Sequence, residues 1–176
     1  MMTYKPILPP PLHLIELQTI GSTNDHAKAL AKNAYPSGTI VWAHEQTAGR
    51  GRQGNSWVSA SGNLFMSVIV RPHVHGADVG QLSFLSAVAL ANVLSTMASA
   101  DTVIQLKWPN DVLINQKKVA GILIETESRG AREIPWAIIG IGVNVTSAPE
   151  GAVSLADIGS TVYQAGHVLE FLIKEI

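Results

Sequence analysis

The chain has 176 residues, 47% of them hydrophobic and 14% charged, with a formal net charge of −1. That is enough apolar material for one genuine core and argues against disorder, while a near-neutral balance without blocks of like charge sets aside a DNA-binding or membrane-surface footprint. The absence of cysteine removes disulfides, thiolate nucleophiles and thiolate zinc sites, and it fits a cytoplasmic protein.

Residues 1–13 carry prolines at 6, 9, 10 and 11 and read as an extended lead-in, with neither the basic nor the apolar region of a secretory leader. Leu12–Leu17 reads as a first strand. Ser22 with Asp25 three positions later resembles a capping box, and Ala27, Leu30 and Ala31 follow at helical spacing, so a helix is expected from there to Tyr35-Pro36. Thr39–Glu45 is a strand, and it feeds the stretch His44–Trp57, H-E-Q-T-A-G-R-G-R-Q-G-N-S-W. There Gly49, Gly51 and Gly54 alternate with Arg50 and Arg52. Glycine lets backbone approach a ligand closely, and arginine offers a planar fork of donors, so the loop suits an anion. It formally matches the dinucleotide fingerprint G-x-G-x-x-G, but the serine- and glycine-rich residues 55–62 do not open the helix that fingerprint requires. A Walker A loop is excluded because no Gly-Lys-Ser/Thr follows.

Asn63–Val70 is a further strand, stopped by Arg71-Pro72. His73 and His75 share a face if extended, yet no third ligand accompanies them and no metal site is assigned. Asp78 is expected to cap a long helix reaching Ser99. Its apolar stretch, Val79 to Ala100, is interrupted by Gln81, Ser83, Ser86, Asn92 and Ser95, as in a buried helix and unlike a membrane span. Val103–Lys107 reads as a strand and Trp108-Pro109-Asn110-Asp111 as a turn. Asp111–Ile114 and Val119–Glu125 read as a hairpin across residues 115–118. Ile134–Val145 is a strand carrying Gly140 and Gly142, where a backbone or ligand comes close. Helical spacing returns from Tyr163 to Ile176. The sum is an α/β (α+β) domain whose mixed, largely antiparallel sheet is flanked by helices. Taken singly, Lys107 to Asp111 reads as an exposed turn with a surface lysine before it reads as a site, and Lys117-Lys118 as a solvated pair.

The set changes that balance. Ser22-Thr23-Asn24, Glu45 to Gly54, Lys107 to Asp111 running on through Lys118-Val119-Ala120-Gly121 to Glu125, and Gly140-Ile141-Gly142-Val143-Asn144 resemble, in order and spacing, the catalytic domain of biotin protein ligases, within the biotin/lipoate protein ligase family. The resemblance covers residues 14–176 and implies a fold like the class II aminoacyl-tRNA synthetase catalytic domain. It implies an enzyme that joins biotin to AMP from ATP with Mg2+, then passes biotin to a lysine of a biotin carboxyl carrier domain. The metal ligands stay unassigned.

Residue by residue, the resemblance implies that Ser22, Thr23, Gln46, Gly49, Arg50, Lys118, Gly121 and Gly140 bind biotin. Arg52, Lys107, Asn110 and Asn144 lie near ATP or the adenylate, and Lys118, Arg50 and Asp111 are catalytic. Trp57 is expected to pack beneath the loop. One position departs: relatives usually carry a further arginine where this chain has Asn55, which removes a cation that would face phosphates. Neither a helix-turn-helix domain nor the small C-terminal β-barrel of relatives is expected in this chain, so a DNA-binding repressor role is not implied. A homodimer is compatible with the resemblance. Two other readings stay open: a lipoate ligase-like enzyme, and a biotin-binding or regulatory paralogue without catalysis.

Overall fold

The computed structural model describes residues 4–72, 78–127, 134–159 and 163–175; His73 and His75 fall outside them. Chain order runs β1 (His13–Ile20), α1 (Thr23–Lys32), β2 (Thr39–Gln46), β3 (Leu64–Val70), α2 (Gly80–Met97), β4 (Ile104–Lys107), β5 (Asp111–Ile114), β6 (Lys117–Thr126), β7 (Ala137–Val143) and α3 (Ala165–Glu175). The strands form one sheet in the order β1-β2-β3-β7-β6-β5-β4. Only β1 and β2 run parallel, so the sheet is largely antiparallel as the sequence suggests.

Alternation along each strand sorts side chains to two faces. On one face Ile40, Trp42, Met66, Ile122 and Ile141 pack with Leu90 and Leu94 of α2 and with Val168 and Leu172 of α3. On the other, Val41, Ile69 and Ile138 meet Ala27 and Ala31 of α1, with Trp136 closing the cluster. Helix α2 is long and apolar enough to cross a membrane by length and composition, yet it serves here as a core helix. Because α1 covers only part of its face, the C-terminal end of β2 and the middles of β6 and β7 are left for something else to cover.

Four local expectations need correction. Ser22 is the residue before α1 but makes no capping bond with its side chain. The amide of Thr23 donates instead to Gln46 Oε1 at 2.8 Å, so a residue brought in by β2 satisfies the helix end and releases Ser22 for another use. Asp78 does not cap α2 either: Val79 precedes the helix, and Asp78 accepts from Gln81 Nε2 at 3.1 Å. The β5–β6 turn is shorter than expected, since β6 starts at Lys117 and only Asn115 and Gln116 lie between the strands. Both have positive φ, 48° and 68°, the handedness that suits a two-residue hairpin turn on twisted strands. Helix α1 stops at Lys32, short of Tyr35, where the Arg71 guanidinium collects the Ala31 and Tyr35 carbonyls at 2.9 and 3.0 Å.

The lead-in is tied to α3. The Tyr4 amide donates to Gln164 Oε1 at 2.7 Å, and the Tyr4 ring stacks on His167 with centroids 3.7 Å apart. Glu170 then accepts from the Tyr4 hydroxyl at 2.7 Å, the Ile7 amide at 2.9 Å and Lys174 Nζ at 2.8 Å. These donors, the Ile7 amide foremost, bring the Glu170 carboxyl down from 4.5 to about 2.

Candidate functional site

The uncovered part of the α1 face is a cavity of about 240 Å3. Its floor follows from strand register. Ser67 of β3 pairs with Gly140 of β7, Phe65 with Gly142, Gly142 with Gly121 of β6, and Gly121 with Asp111 of β5, so these positions share one face. Three of them are glycines, which leaves bare backbone where side chains would otherwise fill the space. A Cβ on Gly140 would come within 2.2 Å of Asn24 Oδ1, and one on Gly142 within 2.6 Å of the Trp57 ring.

Simple alternation would turn Lys118 toward the core face, alongside Ala120. An irregularity in the β5–β6 pairing prevents that: Val112 pairs with Ala120 and Leu113 with Lys118, so Val119 is an extra residue. Such a bulge re-aims one side chain. Here it brings Lys118 beside Gly121, with its Nζ 2.7 Å from Asp111 Oδ1 and 5.2 Å from the centre of the Trp57 ring. Asp111 Oδ1 is hidden from solvent and has no directed hydrogen bond, so its contact with Lys118 is one of charge.

A polar wall closes the end nearest α1. Gln46 Oε1 accepts from the Thr23 amide and, at 3.1 Å, from its hydroxyl; Gln46 Nε2 donates to Ser59 Oγ at 3.1 Å. Ser67 Oγ lies 2.8 Å from Thr23 Oγ1 and 2.6 Å from Asn24 Oδ1, and Asn24 Nδ2 donates to Glu125 at 2.6 Å. Ser22, Thr23 and Asn24 are all buried. Such a network is set before any ligand arrives.

The Arg-Gly loop forms the lid. Arg50 and Ser56 bridge in antiparallel fashion, the Gly51 amide donates to the Asn55 carbonyl at 2.7 Å, and Gln53 and Gly54 supply the left-handed conformations of the bend. Trp57, at the end of the loop, rests on Gly121 and Gly142. Its Nε1 is buried without a hydrogen-bond partner.

Ser22, Thr23, Gln46, Arg50, Arg52, Asn110, Asp111, Lys118, Gly121 and Gly140 thus line one cavity, together with Asn55. Three expected residues lie elsewhere. Gly49 backs the wall, leaving room for Ser59, the Trp57 carbonyl and Gln46. Lys107 is exposed on β4. Asn144 is buried behind Lys118, donating to the Val153 carbonyl at 3.3 Å and joining β6 to the segment after β7. The motifs assign no site role to Asn24, Ser67 or Glu125, and they put Trp57 beneath the loop, whereas it lines the cavity. Asn24 and Glu125 sit inside the quoted motifs, but Ser67 is visible only through strand pairing.

Among the described residues no group of three or more His, Cys, Asp or Glu could hold a metal unaided. Among the described residues Asp111 is the one carboxylate lining the cavity, and a single carboxylate fits magnesium's habit of taking one or two and completing its shell from substrate phosphates and water.

Residues 16–144 match the Biotin/lipoate A/B protein ligase family. The bifunctional ligase/repressor BirA of Bacillus subtilis is 43% identical over 155 residues, which are 87% of this chain and 47% of that protein. The biotin--[acetyl-CoA-carboxylase] ligase of Paracoccus denitrificans is 42% identical over 133 residues, 75% of this chain and 55% of that one. The chain therefore spans about half the length of the curated relatives it matches. Among solved structures, the biotin protein ligase of Leishmania major in complex with biotinyl-5-AMP superposes with a TM-score of 0.80 at 29% identity, covering 96% of this chain and 74% of that one. The architecture is that of the class II aminoacyl-tRNA synthetase-like catalytic domain.

Proposed function

The chain belongs to the Biotin/lipoate A/B protein ligase family, and from that premise we propose that it is a cytoplasmic, ATP-dependent biotin protein ligase. The observation that carries the reading is the meeting of Lys118, Arg52 and a glycine floor with the Ser22–Thr23–Gln46 wall in one cavity.

In the first half-reaction a biotin carboxylate oxygen attacks the α-phosphorus of ATP, the P–O bond to the β-phosphate breaks, and pyrophosphate leaves with biotinyl-5′-AMP formed. Two anions must approach, so fixed cations and backbone donors have to be in place beforehand. Lys118, directed inward by the bulge, supplies a point charge where carboxylate and phosphate meet; Arg52 supplies a second cation from the lid. The polar wall orients the ureido ring, and the glycine floor admits the ring system against bare peptide. Asp111 is the residue that would hold magnesium, whose bound charge would offset that of the phosphates. In the second half-reaction a lysine amine of a biotin carboxyl carrier domain attacks the acyl carbon, its proton is lost, and AMP departs. A homodimer remains an expectation of the resemblance, with no face assigned to it.

The test is biotin-dependent ATP–pyrophosphate exchange by the purified, folded chain with magnesium, followed by labelling of a carrier domain. Exchange supported by lipoate and not biotin would reassign the acid, and exchange with neither acid would overturn the reading. Asn55 favours a second reading, a biotin-binding paralogue with little turnover. Tight biotin binding by calorimetry without exchange would select it.

A further inference from the structure

The lid is tied down from outside the cavity. Residues 52–56 are exposed, and the loop's internal bonds hold its shape without fixing where it sits. Among the described residues, the side-chain bonds that join residues 50–56 to the rest of the fold are those of Arg50 and a single 3.3 Å contact from Arg52 to Asn110. Arg50 bonds bidentately to Asp25 in the first turn of α1, Nη1 to Oδ2 at 2.5 Å and Nη2 to Oδ1 at 2.6 Å. Glu125 stands 3.6 Å behind, held in place by Asn24 and Lys28. A bidentate guanidinium–carboxylate pair fixes direction as well as distance.

We propose that Asp25, with Glu125 behind it, is the latch that positions the Arg-Gly lid, and that the Arg50 side chain serves the lid's closure. Asp25 is a positioning residue: it lies outside the cavity lining and acts through Arg50. The pair is about half exposed on the Asp25 side, so the latch is weak enough to open and is sensitive to salt. Its function as a lid over the reacting centre rests on the ligase reading; its existence as a latch does not.

Limited trypsin digestion of the full chain without ligands reads the latch directly. The reporter is the Arg52–Gln53 bond, because the Arg52 side chain takes no part in the pair. Asp25→Asn should speed cleavage there by about fivefold, the population shift expected for losing a good surface ion pair. Cleavage after Lys107 should keep its wild-type rate, and Asp25→Glu should restore most of the protection. Raising salt to about 1 M, where charges are screened within about 3 Å, should speed the wild-type cut and leave Asp25→Asn unchanged. An unchanged rate at Arg52–Gln53 in Asp25→Asn overturns the proposal, and so does equal acceleration at both bonds, which would reflect general loss of stability. In the exchange assay Asp25→Asn should raise the KM for biotin several-fold more than it lowers kcat. If the wild type shows no exchange, the ligase reading fails while the digestion still decides the latch.

Discussion

Glu170 and Asp25 each hold a loose segment of chain to a helix, Glu170 the N-terminal lead-in and Asp25 the Arg-Gly lid. Glu170 is buried, with 8% of its surface exposed, and gathers donors from the lead-in backbone, a tyrosine hydroxyl and a lysine. Asp25 has a side chain 53% exposed, binds the Arg50 guanidinium and has Lys28 at 3.4 Å as its other cation. The chemistry of the two ties is alike, but burial with backbone donors makes a permanent anchor, whereas exposure leaves a tie that water and salt can replace. The fold thus places its firm attachment far from the cavity and its loose one at the cavity's lid, where a ligand must enter and leave.

If that division is real, changes around the cavity should alter turnover with little effect on melting, and changes at the clasp should do the reverse. Lys118→Ala is expected to have the largest effect, lowering biotin-dependent exchange by about 100-fold or more, as for loss of a preorganised cation at a reacting centre. Its melting temperature should fall slightly, because the buried Asp111 oxygen loses the cation beside it. Gly140→Ala should blur the division, because its methyl group would collide with Asn24, which is itself bonded to Ser67 and Glu125. Calorimetry should show weakened biotin binding, and denaturant unfolding a cost of about 1–3 kcal/mol.

Glu170→Gln tests the other side. It should cost roughly 1–3 kcal/mol in unfolding experiments while exchange at saturating substrates stays at the wild-type rate. The acid limb gives an independent check. Because folding lowers the Glu170 pKa from 4.5 to about 2, its contribution is fully present above the higher value and is lost as pH falls toward the lower one. Thermal melts across that window should fall more steeply for wild type than for Glu170→Gln. The smallest change, Asn55→Arg, restores a cation at a cavity-lining position. It should lower the KM for ATP about tenfold, the worth of one charge-assisted hydrogen bond near 1.5 kcal/mol. An unchanged KM would mean that this position does not meet the phosphates.

The seven strands and three α-helices of the described residues were legible from periodicity and punctuation, because those signals are local. What escaped the sequence depends on pairing between distant segments. The acceptor for the Thr23 amide at the start of α1 comes from Gln46 of β2, so the capping pattern at Ser22 and Asp25 points to the right boundary for the wrong reason. The extra residue at Val119 appears only once β5 and β6 are set in register, yet it decides which way Lys118 points. Ser67 looks like one polar residue in an apolar strand until β7 places Gly140 opposite it. Asn144, within the clearest glycine motif, supports the β6 strand from behind and does not line the cavity.

The glycine floor also bears on how such a site can diversify. Every substitution at Gly121, Gly140 or Gly142 adds atoms toward neighbours already within 2.9 Å of where a Cβ would stand, so point mutations there can only shrink the chamber. Room for a bulkier acid has to be found in the walls, at Gln46, Trp57 or Leu123. The evolutionary freedom of this pocket is therefore one-sided: its floor can drift toward exclusion, and new substrates must be admitted from the sides.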